Sequence, residues 1–205
     1  LVISPVVLAA AKTMEKKLGS PWLRHLRSYR LDEIDEMYAE LSKQLNTDLT
    51  EAAAEFRKKA EEKIRETLAV IGDYPVAVDY QAVLRPFNLA LALTEYGFKV
   101  GMVASNGIPA FEKESAKKLK EMVPDVVFTD PMHPQSVQYP HEGEEYLCIG
   151  FDCGYITKSK KLVELVEDEG LFGYSGVMEL MNRMQDAFLT KADVNKMIEG
   201  AGLII

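Results

Sequence analysis

Asp79, Gln81 and Arg85 fall within seven residues at the end of a short β-branched run, VAVDYQAVLR, and bring a carboxylate, an amide and a guanidinium to one turn. A guanidinium at the start of a helix can hold an anion together with the free amides of the first turn. The same arginine can instead pair with a nearby carboxylate at the surface, and both readings stand. Cys153 follows another apolar strand, where function tends to sit in a parallel sheet, and a thiolate there could ligate a cluster or be redox active. An inert small residue in a turn is the simpler reading, because no histidine or third cysteine stands near it in sequence. Cys148 lies inside the strand and reads as core. Asn106, in an Asn-Gly turn, and Tyr174, in the bend GLFGYSG, complete a set of five expected ligand- or cofactor-binding positions: Gln81, Arg85, Asn106, Cys153 and Tyr174. All five are expected in turns at or near one end of a sheet. No residue is assigned a catalytic role and none is assigned to a metal.

Other chemistries lack support. There is no G-x-G-x-x-G and no G-x-x-x-x-G-K-[ST], so the usual dinucleotide and P-loop modes are absent. The hydrolase elbow G-x-S-x-G is absent too, and Ser175 in GYSGV lacks the strand that would precede it. His133 and His141 stand eight residues apart in a proline-rich loop, a spacing that matches no common metal template, and are expected to be exposed. Met178, Met181 and Met184 recur every three residues on one helix, which suits core or subunit interface better than a cofactor box.

The elements that must position these residues follow from periodicity. Ser4-Pro5 opens a helix over 5 to 18 with Val7, Ala11, Met14 and Leu18 as its stripe, ended by Gly19. The basic segment Arg24 to Arg30 reads as irregular or extended. A second helix follows from Leu31, Ile34, Tyr38, Leu41 and Leu45. A third, capped by Thr50 and running to about Ile71, turns Ala53, Phe56, Ala60, Ile64 and Leu68 inward and a charged face to solvent. Tyr74 to Tyr80, a helix from Leu84 to Thr94, and Phe98 to Val103 make a βαβ unit, which forces its strands parallel. A helix from about Phe111 to Met122, a strand Asp125 to Thr129, a loop over 130 to 145 with one short helical turn at most, and a strand Tyr146 to Gly150 continue the pattern. Phe151 to Ile156 reads as a turn, and Leu162, Val163, Leu165 and Val166 as a helix. Ser175 is expected to cap a helix through Phe188, and Thr190 to Asp193 to open a short last helix ending near Gly200.

With 205 residues, 47% hydrophobic and 27% charged, the chain has the composition of a soluble globular protein. A net charge of −8 and the scatter of lysines among glutamates argue against nucleic acid as a partner. Val2 to Ala11 is too short for a membrane span and lacks a basic leader, so no membrane association is expected. Two cysteines form no disulfide framework, which suits a reducing, cytoplasmic setting. The chain begins at Leu1 within helical sequence, as a fragment of a longer polypeptide would.

Several stretches, in order, resemble the carboxyl-terminal half of a subunit of the nitrogenase component 1 family, which includes the molybdenum-iron protein and dark-operative protochlorophyllide reductase. Helix one followed by LGSPW, the charged third helix leading into a strand, TEYGFKVGMV, PDVVF, YLCIG and GLFGYSGVMELMNRM carry the resemblance over roughly residues 1 to 188. Their order and spacing make the case. The four strands read from the sequence are expected to form a parallel sheet of order 3-2-1-4, and the resemblance implies an α/β, Rossmann-like (chelatase-like) domain flanked by helices and preceded by a helical lead-in. Residues 1–72 would be that lead-in, 73–189 the Rossmann-like domain and 190–205 a C-terminal helix. It further implies an oxidoreductase subunit that joins a related subunit in a homo- or hetero-oligomer and accepts electrons from an ATP-dependent iron-sulfur reductase. An iron-sulfur cluster would belong to the full-length protein and not to this segment alone. The positions matching the cysteine and histidine that hold the molybdenum-iron cofactor are Ile3 and Val163, neither able to ligate iron, so that cofactor and dinitrogen reduction are not expected. The alternative is a non-catalytic ligand-binding or cofactor-assembly scaffold module of the same fold.

Overall fold

The computed structural model of the chain describes residues 1–138 and 145–192. His141 and most of the expected last helix lie outside the described residues. Its helices are α1 (Leu8–Leu18), α2 (Leu31–Leu45), α3 (Thr50–Ile71), α4 (Pro86–Glu95), α5 (Lys113–Met122), α6 (Phe151–Thr157) and α7 (Gly173–Leu189). Its strands are β1 (Val76–Asp79), β2 (Val100–Ala104), β3 (Val127–Thr129), β4 (Leu147–Ile149) and β5 (Lys161–Val163). All pairings are parallel, in the order β3-β2-β1-β4-β5.

The sheet therefore has five strands and not four. β5 lies where Leu162, Val163, Leu165 and Val166 suggest a helix, and α6 lies where a turn is expected. In a three-residue strand the apolar run is too short for period 2 to be told from period 3.6. Pairing decides it: Leu147, Cys148 and Ile149 align with Lys161, Leu162 and Val163. Gly154 gives α6 its close approach to the sheet, since a Cβ there would lie 2.9 Å from a methyl carbon of Leu162.

Strand residues alternate between two buried clusters. Val76, Val78, Val100, Val103, Leu147, Ile149 and Val163 pack with α2, α3, α4 and α7, whereas Ala77, Met102, Cys148, Cys153 and Leu162 form a smaller cluster beneath α6. Met181 and Met184 are fully buried and Met178 partly so, which places the methionine stripe in the core. Polar contacts also join α3 to α7: Gln185 donates to Thr67 at 2.8 Å and Lys63 to Gln185 at 3.3 Å.

Three local details depart from the periodicity. Ser175 is exposed inside the first turn of α7, whose N-cap is Phe172. Thr50 is the first residue of α3 and not its cap; Leu49 holds the N-cap position, and the Thr50 amide donates to the Asp48 carboxylate, 2.9 Å away. None of α1 is buried: Val7, Met14 and Leu18 are 46%, 51% and 71% exposed, so the expected stripe faces outward. The loop after β3 does hold one short 3-10 turn, Pro134–Gln138.

Candidate functional site

The winding of the sheet reverses between β1 and β4, and the crevice beyond their carboxyl ends is where open parallel sheets bind ligands. Asp79 ends β1 there and is fully buried. One carboxylate oxygen accepts the amides of Gln81 (2.8 Å) and Ala82 (3.1 Å), while the other accepts that of Cys153 (3.2 Å) at the start of α6. Burial pushes the Asp79 carboxyl above its ordinary range, against the pull of these amides. Asp152 is likewise pushed up, by burial and then by the Asp79 charge, and the Gln81 side chain donates to it at 3.0 Å. The amides that would greet an anionic ligand at this switch point thus already bind a carboxylate of the chain itself. The Gln81 side-chain amide and the Asp152 carboxyl, bonded to each other, are the polar groups that face a ligand there.

A second polar centre joins the lead-in to the sheet. Glu112, just before α5, is fully buried; it accepts the Phe87 amide at 2.8 Å in the first turn of α4 and faces the Arg85 Nε at 3.3 Å. Burial raises its carboxyl to about 7, with Arg85 opposing. Arg85 also donates to the Arg27 carbonyl (3.0 Å) and to Glu33 on α2 (3.1 Å). Asn88, fully buried on α4, accepts the Ser28 hydroxyl (3.0 Å) and the Tyr29 amide (3.2 Å) and donates to Glu33.

Asp168, also buried, accepts from Tyr29 (2.6 Å), the Leu84 amide (3.2 Å) and Arg27 (2.9 Å). It sits in a run of positive φ, Glu167 47°, Asp168 64°, Glu169 41° and Gly170 82°, tied to the turn after β1 by the bonds of Glu167 and Asp168 amides to the Gln81 and Ala82 carbonyls. Such strain persists only where the surroundings fix it. Segment 24–30, without regular structure apart from a bridge between Arg24 and Val2, is therefore the strap that ties the chain before α2 to the sheet. Two polar clefts of about 350 and 300 Å³ open beside Arg85, sharing Glu33, Glu36 and Phe111 as walls.

Of the five positions read from the sequence, Gln81 and Cys153 meet around Asp79. Arg85 lies apart, in the ionic centre, its guanidinium paired with Glu33 and Glu112 as the surface-pair reading has it, though largely buried. Asn106 is exposed in the turn after β2. Tyr174 is buried in the first turn of α7, stacked 5.4 Å from Tyr38 with its hydroxyl bonded to Asp35. His133 is exposed. Sequence reasoning missed Glu112, Asn88 and Asp168, whose partners lie far off in the chain. One local sign existed: Asn88 is polar within PFNLALALTE, a helix otherwise apolar almost to its end.

The described residues do not fit an iron-sulfur cluster. Cys153 is fully buried, its sulfur 3.5 Å from the Gly150 carbonyl, and Cys148 is buried beside the Thr157 hydroxyl at 3.4 Å. No three His, Cys, Asp or Glu side chains among the described residues are grouped to hold a metal ion, and Ile3 and Val163 have no ligating atoms.

A five-stranded parallel sheet wound in both directions from β1, with helices against it, defines a Rossmann-like α/β domain. The family model for nitrogenase component 1 type oxidoreductases matches residues 1–189, and the chain belongs to that family. A solved structure described as nitrogenase Cp1 at pH 6.5 matches with a TM-score of 0.62 at 16% identity, covering 95% of this chain and 45% of that one. The likeness is one of fold, and the chain spans less than half the length of that structure. Comparison with curated protein sequences found no match. No helix among the described residues is long and apolar enough to cross a membrane.

Proposed function

We propose that this chain is the Rossmann-like portion of a nitrogenase component 1-like oxidoreductase subunit, which works in an oligomer with a related subunit and accepts electrons from an iron-sulfur reductase. The family match over residues 1–189 carries this reading. The substrate-facing groups we assign are Gln81 with Asp152 at the switch point, beside Cys153, and Arg85 at the polar clefts; exposed Asn106 would act only through a neighbouring chain, and Tyr174, buried between α2 and α7, would only support the packing behind the site. Any cluster would draw its ligands from residues other than those described. Anaerobic purification of the full-length protein, with iron and acid-labile sulfide analysis, tests it. Near-stoichiometric iron and sulfide, together with oxidation of a reduced iron-sulfur reductase on mixing, is the expected result. An iron-free protein that takes no electrons overturns it.

A second reading, a ligand-binding or cofactor-assembly scaffold of the same fold, draws on the two buried thiols and on Asp79 filling the crevice. Under that reading the purified protein is colourless, and alanine variants of Gln81 and Arg85 lose ligand affinity without any redox phenotype.

A further inference from the structure

At the β3 edge of the sheet, α5 and the turn after β2 enclose a shallow groove of about 480 Å³. Its floor is apolar: Ala116, the Phe128 ring and Ile108, the last 44% exposed. Its rim carries three lysines and one carboxylate, Glu121. Lys113, Lys117 and Lys120 recur at i, i+4 and i+7 and so share one face of α5. Lys120 donates to the Val126 carbonyl at 2.7 Å with its ammonium 5.6 Å from the Phe128 ring, which fixes one charge at the groove wall. Lys117 is 77% exposed and only 3.7 Å from Glu121, a loose pair worth little. Among the described residues no carboxylate pairs with Lys113. On a chain of net charge −8 this is a local excess of positive charge around an apolar floor.

We infer that this groove docks an acidic amphipathic helix of a partner protein, its apolar stripe on Ala116, Phe128 and Ile108 and its carboxylates on the three lysines. A helix laid in a groove presents anchors at i, i+3, i+4 and i+7, and flanking charges set partner choice by repelling the wrong sign. The groove is too open to enclose a small molecule, whose surface a pocket must largely bury. A second copy of this chain is the other occupant to exclude. The inference stands apart from the redox reading, since it uses none of the residues assigned there.

The test is fluorescence anisotropy of the full-length chain with a labelled peptide of about five helical turns, leucines at i, i+3, i+4 and i+7 and glutamates on the flanks. A twin peptide carries lysines for the glutamates. Saturable binding of the glutamate peptide is expected, at least about tenfold tighter than the lysine twin and weakening as salt rises. Lys113→Glu with Lys117→Glu should weaken it about tenfold or more, and Ile108→Ser should weaken it without changing the salt dependence. The control Lys58→Glu, at an exposed position of α3, should leave it unchanged. No saturable binding, equal binding of both peptides, or indifference to the α5 reversals overturns the inference. So does a dimer in sedimentation that the α5 reversals dissolve, which would assign the groove to a second copy.

Discussion

A Cβ placed on Gly150 would lie 2.5 Å from the carboxyl carbon of Asp79, closer than real Cβ contacts come. The glycine, at φ 108°, lets β4 end flush against the carboxylate that ends β1. This one relationship closes the switch point: the backbone turns away at Gly150, and α6 then points its first amides at Asp79.

Gly150→Ala should therefore cost about 3 kcal/mol or more, combining left-handed strain with overpacking. Urea unfolding measures it. Asp79→Ser in the same background should recover part of the loss, because a shorter side chain withdraws from the new methyl while keeping an oxygen for the amides. Strict additivity of the two changes would show that strain at φ alone is responsible.

Glu112 predicts a pH dependence. Its carboxyl ordinarily titrates at 4.5 and in the fold at about 7. The neutral form is thus favoured on folding; its contribution is full below 4.5 and is lost as pH rises through 7. The fall amounts to about 3 kcal/mol. Asp79 and Asp152 shift in the same sense, so the informative quantity is the difference between the wild type and Glu112→Gln. The variant should lose less stability than the wild type between pH 4.5 and 8. Parallel stability curves for the two proteins would refute the assignment.

Much of the sheet was legible because β1, β2 and β4 are apolar runs separated by helices of ordinary length. β5 was not, because three residues carry too little pattern and only the ladder to β4 identifies them. α1 shows the converse: a good stripe in sequence, yet Leu18 is 71% exposed. Amphipathicity states that a face seeks cover and not what covers it. At the candidate site, Asp79 and Gln81 were legible from their place at a strand end. The Arg85 centre was legible only as one residue of a network, since Glu112, Glu33 and the Arg27 carbonyl come from segments remote in sequence and no local period joins them.

The strap predicts a local unfolding. Asn88→Ala removes the acceptor of the Ser28 hydroxyl and the Tyr29 amide and the donor to Glu33, leaving a buried amide without a partner. The cost should be about 2–3 kcal/mol. Because those bonds join segment 24–30 to α4, limited proteolysis should cut near Arg24, Arg27 or Arg30 sooner than in the wild type, while α4, β2 and α5 remain protected. Faster cutting spread evenly over the chain would mean that Asn88 supports the whole core and not the strap.

Cys153 offers the sharpest test of whether a thiol acts at the switch point. Burial pushes it well above its ordinary range, and the neighbouring Cys148 and Asp79 push further in the same direction. Reaction needs the thiolate and access to it, and both are suppressed here. Iodoacetamide should therefore leave both Cys148 and Cys153 unmodified in the native chain and label both at the rate of global opening once urea is added. Cys153→Ala should then cost stability through lost packing without altering any ligand affinity at Gln81 and Asp152. Rapid native labelling confined to Cys153 would instead show that α6 swings open, exposing Asp79 and the crevice behind it as a working site.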